Sequence, residues 1–351
     1  MSAYLKSRMQ RRKGMKARTS TLFLLGAILM GITGCQKSEN YQMTEASKND
    51  VFSIYEKDAE ELHKVSELQT LQDVYQSGYG FEEWQLPDIK APGGILTLGD
   101  TYFVSDQEED CILKVNHEGN VIAKTGQTGS GAGEFLSPSA LTAYDGEIYV
   151  LDQGNNRIQV LDGNLSYLRE LKLKDTKKED PDYVPQSIAV NQEGVFVTGV
   201  SLENPRVDRY AEKTDEIAAN FIGSISIYEE QAYFINSMAR YYDKESDSFG
   251  VVSTAPEWLV SEKEGELEKV CELPYGFNIT AFLIDEEGIL SVSRSGGAVY
   301  RLNWDGTYEE TIAYLPGLQD EETPQIAIDD QENIYVVMPK AKKIYRCYRQ
   351  G

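Results

Sequence analysis

Histidine is nearly absent from this chain of 351 residues: only His63 and His117 occur, and neither has a cysteine or a second histidine at metal-ligand spacing. That excludes a zinc site built on imidazole and thiolate, and it leaves any metal to oxygen ligands. Cysteine is scarce as well. Cys35 apart, Cys111, Cys271 and Cys347 stand far from one another, and an odd number outside a reducing compartment leaves at least one unpaired. They are expected to pack as small hydrophobes, with Cys111 and Cys347 the one pair that topology would bring near. Positive charge is short, with 34 Lys and Arg against 57 Asp and Glu for a net charge of −23. Seven of those bases lie in residues 1–34, which hold no acid, so 27 bases face 57 acids in the remainder, a charge of −30. Nucleic acid is therefore excluded as a partner, because its binding draws on Lys and Arg replacing counterions at phosphates. Docking on an anionic leaflet is disfavoured for the same reason. Neither a G-x-S-x-G elbow nor a Walker-type phosphate loop is present; Gly129–Gly133 is glycine-rich but lacks the lysine.

The basic residues that do occur are concentrated at the front. Lys6, Arg8, Arg11, Arg12, Lys13, Lys16 and Arg18 precede an apolar run from Leu22 to Ile32. At 11 residues that run is well short of the ~20 needed to span a bilayer, and the profile is that of a signal peptide. Ile32-Thr33-Gly34-Cys35 resembles the bacterial lipobox. The resemblance implies cleavage before Cys35, a lipid on its sulfur, and an extracytoplasmic protein anchored in the cell envelope of a bacterium. The alternative is an ordinary secretory signal beside an incidental cysteine. Residues 1–34 are thus expected to be a signal peptide and 35–65 a lipidated cysteine and tether, since Gln36 to Lys57 is polar and without periodicity.

The rest repeats. A shift of 46 positions superposes Pro92 on Pro138, Phe103 on Tyr149, Val104 on Val150, Asp106 on Asp152, Gln107 on Gln153 and Ile112 on Ile158 without a gap. Further copies place Pro185 and Pro324 on Pro138, and weaker ones fall near Tyr233 and Ile289. Within each copy, apolar runs of four to six residues alternate with turn pairs such as Asp145-Gly146 and Asp305-Gly306, the pattern of short strands. The position of Asp152 recurs as Asp106, Gly199, Asn236, Ser293 and Met338. Six units at this period over residues 66–351 predict an all-β, six-bladed β-propeller. The last copy is one strand short. Leu68–Tyr75, standing ahead of a Gly78–Pro87 connector, is expected to supply that strand and close the ring.

Gly131-Ala132-Gly133-Glu134-Phe135, then Pro138, Ile148–Asp152 and Asn155-Asn156-Arg157-Ile158, resembles the NHL repeat. With the lipobox, the chain resembles bacterial six-bladed propeller lipoproteins with NHL-like or TolB-like blades. The resemblance implies that the loops after each second strand and between blades open on one face around a central channel. Those segments are Asp106–Asp110, Asp152–Asn156, Gly199–Pro205, Asn236 to about Pro256, Ser293–Gly297 and Met338–Lys342.

The fourth of these is an insertion that sets aromatics beside arginine, a mixture suited to recognition. Arg240, Tyr241 and Tyr242, with Arg294 in the next loop and Asp106 and Asp152 on the same rim, are the candidate ligand contacts. The two aspartates have two readings. They are calcium ligands, or they cap turns by accepting backbone N–H bonds, and Gly199, Asn236, Ser293 and Met338 at the equivalent positions favour capping. Arg157 is read as structural. No catalytic residue, metal ligand or cofactor is assigned, with calcium the one ion such a mouth would suit. The expectation is a lipid-anchored binding or scaffold propeller that recognises a ligand or an envelope protein. The alternative implied by the fold is a metal-dependent lactonase of the gluconolactonase type, or a lyase.

Overall fold

The structure is a computed structural model that describes residues 41–42, 78–174, 182–201, 204–243, 248–253, 257–263, 265–274 and 277–350, without the side chains of 41–42, 239–243 and 248–253. The signal-peptide segment, Cys35, His63, Leu68–Tyr75 and all of the tether but Tyr41–Gln42 lie outside the described residues.

Six antiparallel sheets, four of them built from a consecutive stretch of chain and the other two joined by a strand from upstream, make an all-β, six-bladed propeller. Blade 1 comprises strands Pro92–Leu98, Thr101–Asp106, Cys111–Asn116 and Val121–Thr125. Blade 2 runs through Pro138–Tyr144, Glu147–Asp152, Arg157–Leu161 and Tyr167–Lys172, and blade 3 through Val184–Asn191, Gly194–Val200, Arg206–Tyr210 and Thr214–Ala219. Blade 4 contains Ile222–Tyr228, Gln231–Asp243, Trp258–Lys263 and Glu266–Glu272. Blade 5 holds Ile279–Asp285, Gly288–Ser293, Ala298–Leu302 and Tyr308–Tyr314. Blade 6 has Gln325–Ile328, Ile334–Met338 and Lys343–Arg349, with a fourth strand from the front of the chain.

That closing strand is Tyr79–Glu83, which pairs antiparallel with Lys343–Arg349. Ring closure by upstream chain is as expected, but the segment corrects the expectation, which treated Gly78–Pro87 as a connector by analogy with Gly129–Pro138. The physical difference lies in the partner strand, whose aromatic rings receive this segment. Tyr79 is buried in the core, while Phe81 stays exposed and meets the Tyr345 ring edge-on at 6.0 Å. Gly80 lies so close to Tyr348 that a Cβ would meet its ring at 2.9 Å. The glycines here admit a flat strand against an aromatic rather than a turn.

The hydrophobic core is divided among the blade interfaces. Six clusters of buried residues each join two neighbouring blades. One of them packs Ile95, Val104 and Leu113 of blade 1 on Ala327, Tyr335 and Val337 of blade 6, so the ring is closed by apolar burial as well as by strand pairing. First strands contact one another in cyclic order, Gln325–Ile328 touching Pro92–Leu98, and they form the inner wall. At the closing seam Tyr102 and Tyr335 both donate to Asp329 Oδ2, at 2.9 and 3.0 Å, beneath Trp84, whose ring centroid is 5.0 Å from each tyrosine ring.

Cys111, Cys271 and Cys347 are free and buried. Cys111 belongs to the interface of blades 6 and 1 and Cys347 to that of blades 5 and 6. The pair that topology seemed to bring together therefore sits in two separate cores, on opposite faces of blade 6.

Candidate functional site at the channel mouth

In blades 1, 2, 3 and 5 the second strand ends where the first begins, as the pairs Pro92–Asp106, Pro138–Asp152, Pro185–Gly199 and Ile279–Ser293 show. In five blades the first strand also shifts register within two or three residues of that end. The six repeat markers thus gather on one rim with the interblade connectors. The rim is held by buried side chains that accept backbone N–H bonds. Asp106 is fully buried, and its carboxylate accepts from the N–H groups of Lys90, Ala91, Glu108 and Glu109 at 2.7 to 3.2 Å. Asp110 accepts from Ser137 N–H and the Thr128 hydroxyl, both at 2.7 Å. Asp152 accepts from Leu136 N–H at 2.8 Å through one oxygen and from Arg157 Nε and Asn155 Nδ2, at 2.8 and 2.9 Å, through the other. Glu321 takes the N–H groups of Lys340 and Ala341, and Asn236 Oδ1 that of Ile222. A carboxylate so occupied braces a loop, and little of its coordinating capacity is left over. Asp106 and Asp152 therefore stand in the structure as braces of the mouth.

Arg157 gathers a second set of loop atoms. Its guanidinium donates to the carbonyls of Ser130, Gly131 and Glu134 and to Glu170, which fixes the glycine-rich connector before blade 2. Blade 3 solves the same problem differently. Gly199 replaces the aspartate, and the Tyr183 ring lies where a Cβ at Gly199 would be. Arg206, opposite Gly199 as Arg157 is opposite Asp152, takes its carboxylate from Asp208, which also meets Lys174 Nζ at 2.8 Å. The Arg206 guanidinium stacks 4.3 Å from the Tyr183 ring centroid.

Blade 4 departs from the pattern. Its second strand runs 13 residues, and from Met238, which still faces Ile222 of the first strand, it pairs residue by residue with Ser248–Ser253, from Met238–Ser253 to Asp243–Ser248. A two-stranded hairpin therefore projects from the rim. The backbone of Arg240, Tyr241 and Tyr242 lies on its first strand, opposite Val251, Gly250 and Phe249; their side chains lie outside the described residues. Tyr41–Gln42, from the segment read as a tether, pairs with Tyr242–Asp243. Arg294 occupies the corresponding loop of blade 5, half-buried, and its Nε donates to the Gln319 carbonyl at 3.1 Å, which ties it to the connector before blade 6. Among the described residues no hydrogen bond of the Arg294 side chain reaches the hairpin.

At the base of the hairpin stands Glu257, 1% exposed. Oε1 accepts from Ile279 N–H at 2.8 Å, while Oε2 has no partner among the described residues. Burial pushes its pKa up to about 8. Sequence reasoning missed this residue: it follows the insertion, where the repeat supplies no register. Asp208 was missed because it stands two positions beyond its arginine, and Asp110 because it lies in an acidic run that reads as solvated loop. Among the described residues no group of three or more His, Cys, Asp and Glu is placed to hold a metal ion.

Residues 87–249 match the model of a family described as a 6-bladed beta-propeller, a span from the start of blade 1 into the blade 4 hairpin. Among solved structures the chain is similar to virginiamycin B lyase from Staphylococcus aureus, with 15% identity, a TM-score of 0.51, and 77% of this chain and 99% of that one covered. It is likewise similar to the calcium-binding protein regucalcin from Agrobacterium tumefaciens str. C58, at 13% identity and a TM-score of 0.51 over 76% of this chain and 93% of that one. A gluconolactonase from Xanthomonas campestris gives 12%, 0.50, 75% and 87%. No curated protein matches the sequence. At such identities the likeness shows the fold alone, since one propeller scaffold carries unrelated activities.

Proposed function

We propose that this chain is a non-catalytic binding propeller, exported and anchored in a bacterial envelope through lipid on Cys35, which recognises a ligand or protein partner at the channel mouth. The observation that carries the reading is the hairpin Gln231–Asp243/Ser248–Ser253, which among the described residues blade 4 alone extends beyond the rim. A projecting hairpin with Arg240, Tyr241 and Tyr242 along one strand adds surface at the rim, and long insertions on a rigid scaffold are where recognition concentrates. Arg294 in the adjoining loop is the further contact.

A lyase or a calcium-dependent lactonase would need carboxylates free to hold an ion or move a proton. Support for binding comes from the opposite condition of Asp106, Asp110, Asp152 and Glu321, whose oxygens are engaged with loop N–H groups or side chains. Thermal-shift screening against envelope glycans, peptides and small metabolites tests the reading. A ligand that raises the melting temperature of the wild type and leaves the triple variant Arg240→Ala/Tyr241→Ala/Tyr242→Ala unshifted is the expected result. Equal shifts in both proteins would remove the hairpin from the site. Anchoring has its own test, since palmitate labelling in cells is expected for the wild type and lost in Cys35→Ala.

A further inference from the structure

First strands begin at the mouth, so the turns that join them to the second strands lie on the opposite face. These turns are Gly99-Asp100, Asp145-Gly146, Gln192-Glu193, Glu229-Glu230, Glu286-Glu287 and residues 329–333. Each of the six holds at least one Asp or Glu, and none holds Lys or Arg. Turn chemistry accounts for Asp100, Asp145 and Asp329, since aspartate suits turns. Blade 4 is different. Tyr228 pairs with Gln231, so Glu229 and Glu230 form the whole turn, with φ of 47° and 64°. That is the left-handed region, where a two-residue hairpin ordinarily takes Asn and Gly and a longer side chain is strained. Glu230 offsets part of the cost by accepting the Gln192 N–H at 2.9 Å. The Glu229 side chain makes no hydrogen bond or ion pair among the described residues, so nothing inside the fold calls for it.

An aromatic surface adjoins that turn. Trp304 lies between the third and fourth strands of blade 5, with its ring centroid 5.3 Å from that of Tyr228 and 6.4 Å from that of Tyr233. All three rings are half-buried against the core shared by blades 4 and 5, and neither tyrosine hydroxyl has a hydrogen-bond partner among the described residues. The indole Nε1 donates to the Glu286 carbonyl at 3.3 Å, which sets the next acidic turn beside the ring. Glu229, Glu286 and Asp285 all act electrostatically on Tyr228. Arg301 engages Asp285 at 2.6 Å, while Glu229 and Glu286 are free of ion pairs among the described residues.

Aromatic faces edged by carboxylates attract an organic cation, because the ring quadrupole and the negative charge act together. A metal ion suits the surface poorly, since among the described residues no three acids converge on one point. The carboxylates are spread over all six turns instead, which matches several positive charges along a segment better than a single one. Nucleic acid and an anionic leaflet are repelled, and so is a second copy of this chain, with 27 bases against 57 acids beyond residue 34. We propose that the face opposite the mouth docks a basic segment of a partner protein, one Lys or Arg of which lies over Trp304 and Tyr228 between Glu229 and Glu286. The surface is separate from the mouth and does not depend on what binds there.

Fluorescence anisotropy of a labelled octalysine peptide with the purified protein tests the surface. Trp304→Ala, which changes no charge, is expected to weaken binding about tenfold, and Glu229→Gln/Glu286→Gln at least as much. Glu108→Gln/Glu109→Gln removes the same charge at the mouth and is expected to change the affinity less than about twofold. Octalysine that binds Trp304→Ala as tightly as the wild type, or that is weakened equally by the two glutamine pairs, is held by net charge alone, and the proposal fails. Should Trp304→Ala not fold, Glu229→Asn decides the question. Asparagine relieves the left-handed strain, so this variant is expected to unfold at higher urea than the wild type while binding octalysine more weakly. Undiminished binding by Glu229→Asn overturns the proposal. Tetramethylammonium bound as tightly as octalysine would assign the surface to a small cation and overturn the protein partner.

Discussion

Arg206 Nε lies 2.8 Å from Asp208 Oδ2, two residues away on the same strand, and both side chains are buried. In blade 2 the equivalent Arg157 makes its 2.8 Å contact with Asp152 on the neighbouring strand. The brace has kept its arginine while its carboxylate has moved, and the space given up by the aspartate is filled by Tyr183 over Gly199. Asp208→Ala leaves Arg206 buried without its counter-charge and is expected to cost about 3–5 kcal/mol in denaturant unfolding. Gly199→Asp does not restore the blade 2 arrangement, because its Cβ collides with the Tyr183 ring; that variant is expected to be less stable than the wild type.

The closing strand makes a prediction about truncation. A chain beginning at residue 66 keeps Tyr79–Glu83 and Trp84 and is expected to elute as a compact monomer. A chain beginning at residue 87 loses both, exposes the edge of Lys343–Arg349 and opens the Tyr102–Tyr335–Asp329 seam. Aggregation of that shorter chain in gel filtration is the expected outcome, because an unpaired apolar edge recruits other chains.

Buried thiols set a third expectation. Burial pushes the pKa of Cys111 and Cys271 up to about 11 and that of Cys347 up to about 12. The thiolate is the reactive form, so a disulfide reagent at neutral pH is expected to find none of the three in the native protein and all three in denaturant.

Stability should follow pH through two buried carboxyls. The carboxyl of Glu257 is pushed up to about 8 in the folded chain from an ordinary value of 4.5. Its contribution to stability is fully present below the ordinary value and is lost as pH rises towards the folded one, with a slope of about 1.4 kcal/mol per pH unit in between. Glu257→Gln removes that slope. Asp329 acts with the opposite sign at the acid end: burial pulls its carboxyl up, but hydrogen bonds from Asn333 and the two tyrosines together outweigh it and hold the group below the usual value, so its contribution is lost as pH falls through the depressed value. Unfolding midpoints in urea across pH 3 to 9 for the wild type and Glu257→Gln check both signs.

Much of the fold was legible because the repeat marks a recurring physical position. Asp106, Asp152, Gly199, Asn236, Ser293 and Met338 fall at or near the rim end of six second strands, as their alignment predicts. The site was less legible. Asp106 and Asp152 are polar, recurrent and at the mouth, which suits a ligand and a brace equally well in sequence; only the N–H groups converging on them distinguish the two. Glu257 and Asp208 carry no such mark, since one follows an insertion that breaks the register and the other serves an arginine through a position the remaining blades use differently. The closing strand was misassigned because Gly78-Tyr79-Gly80-Phe81 reads as the glycine-rich connector that Gly131–Phe135 forms, and the ring of Tyr348 that calls for Gly80 is distant in sequence.

Metal content and turnover, measured together on the purified protein, bear most directly on the claim that the mouth binds without catalysis. The account predicts calcium well below one ion per chain, and neither lactone hydrolysis nor lyase activity on virginiamycin B that a chelator abolishes. One tightly held calcium per chain, lost on chelation together with such an activity, would contradict it.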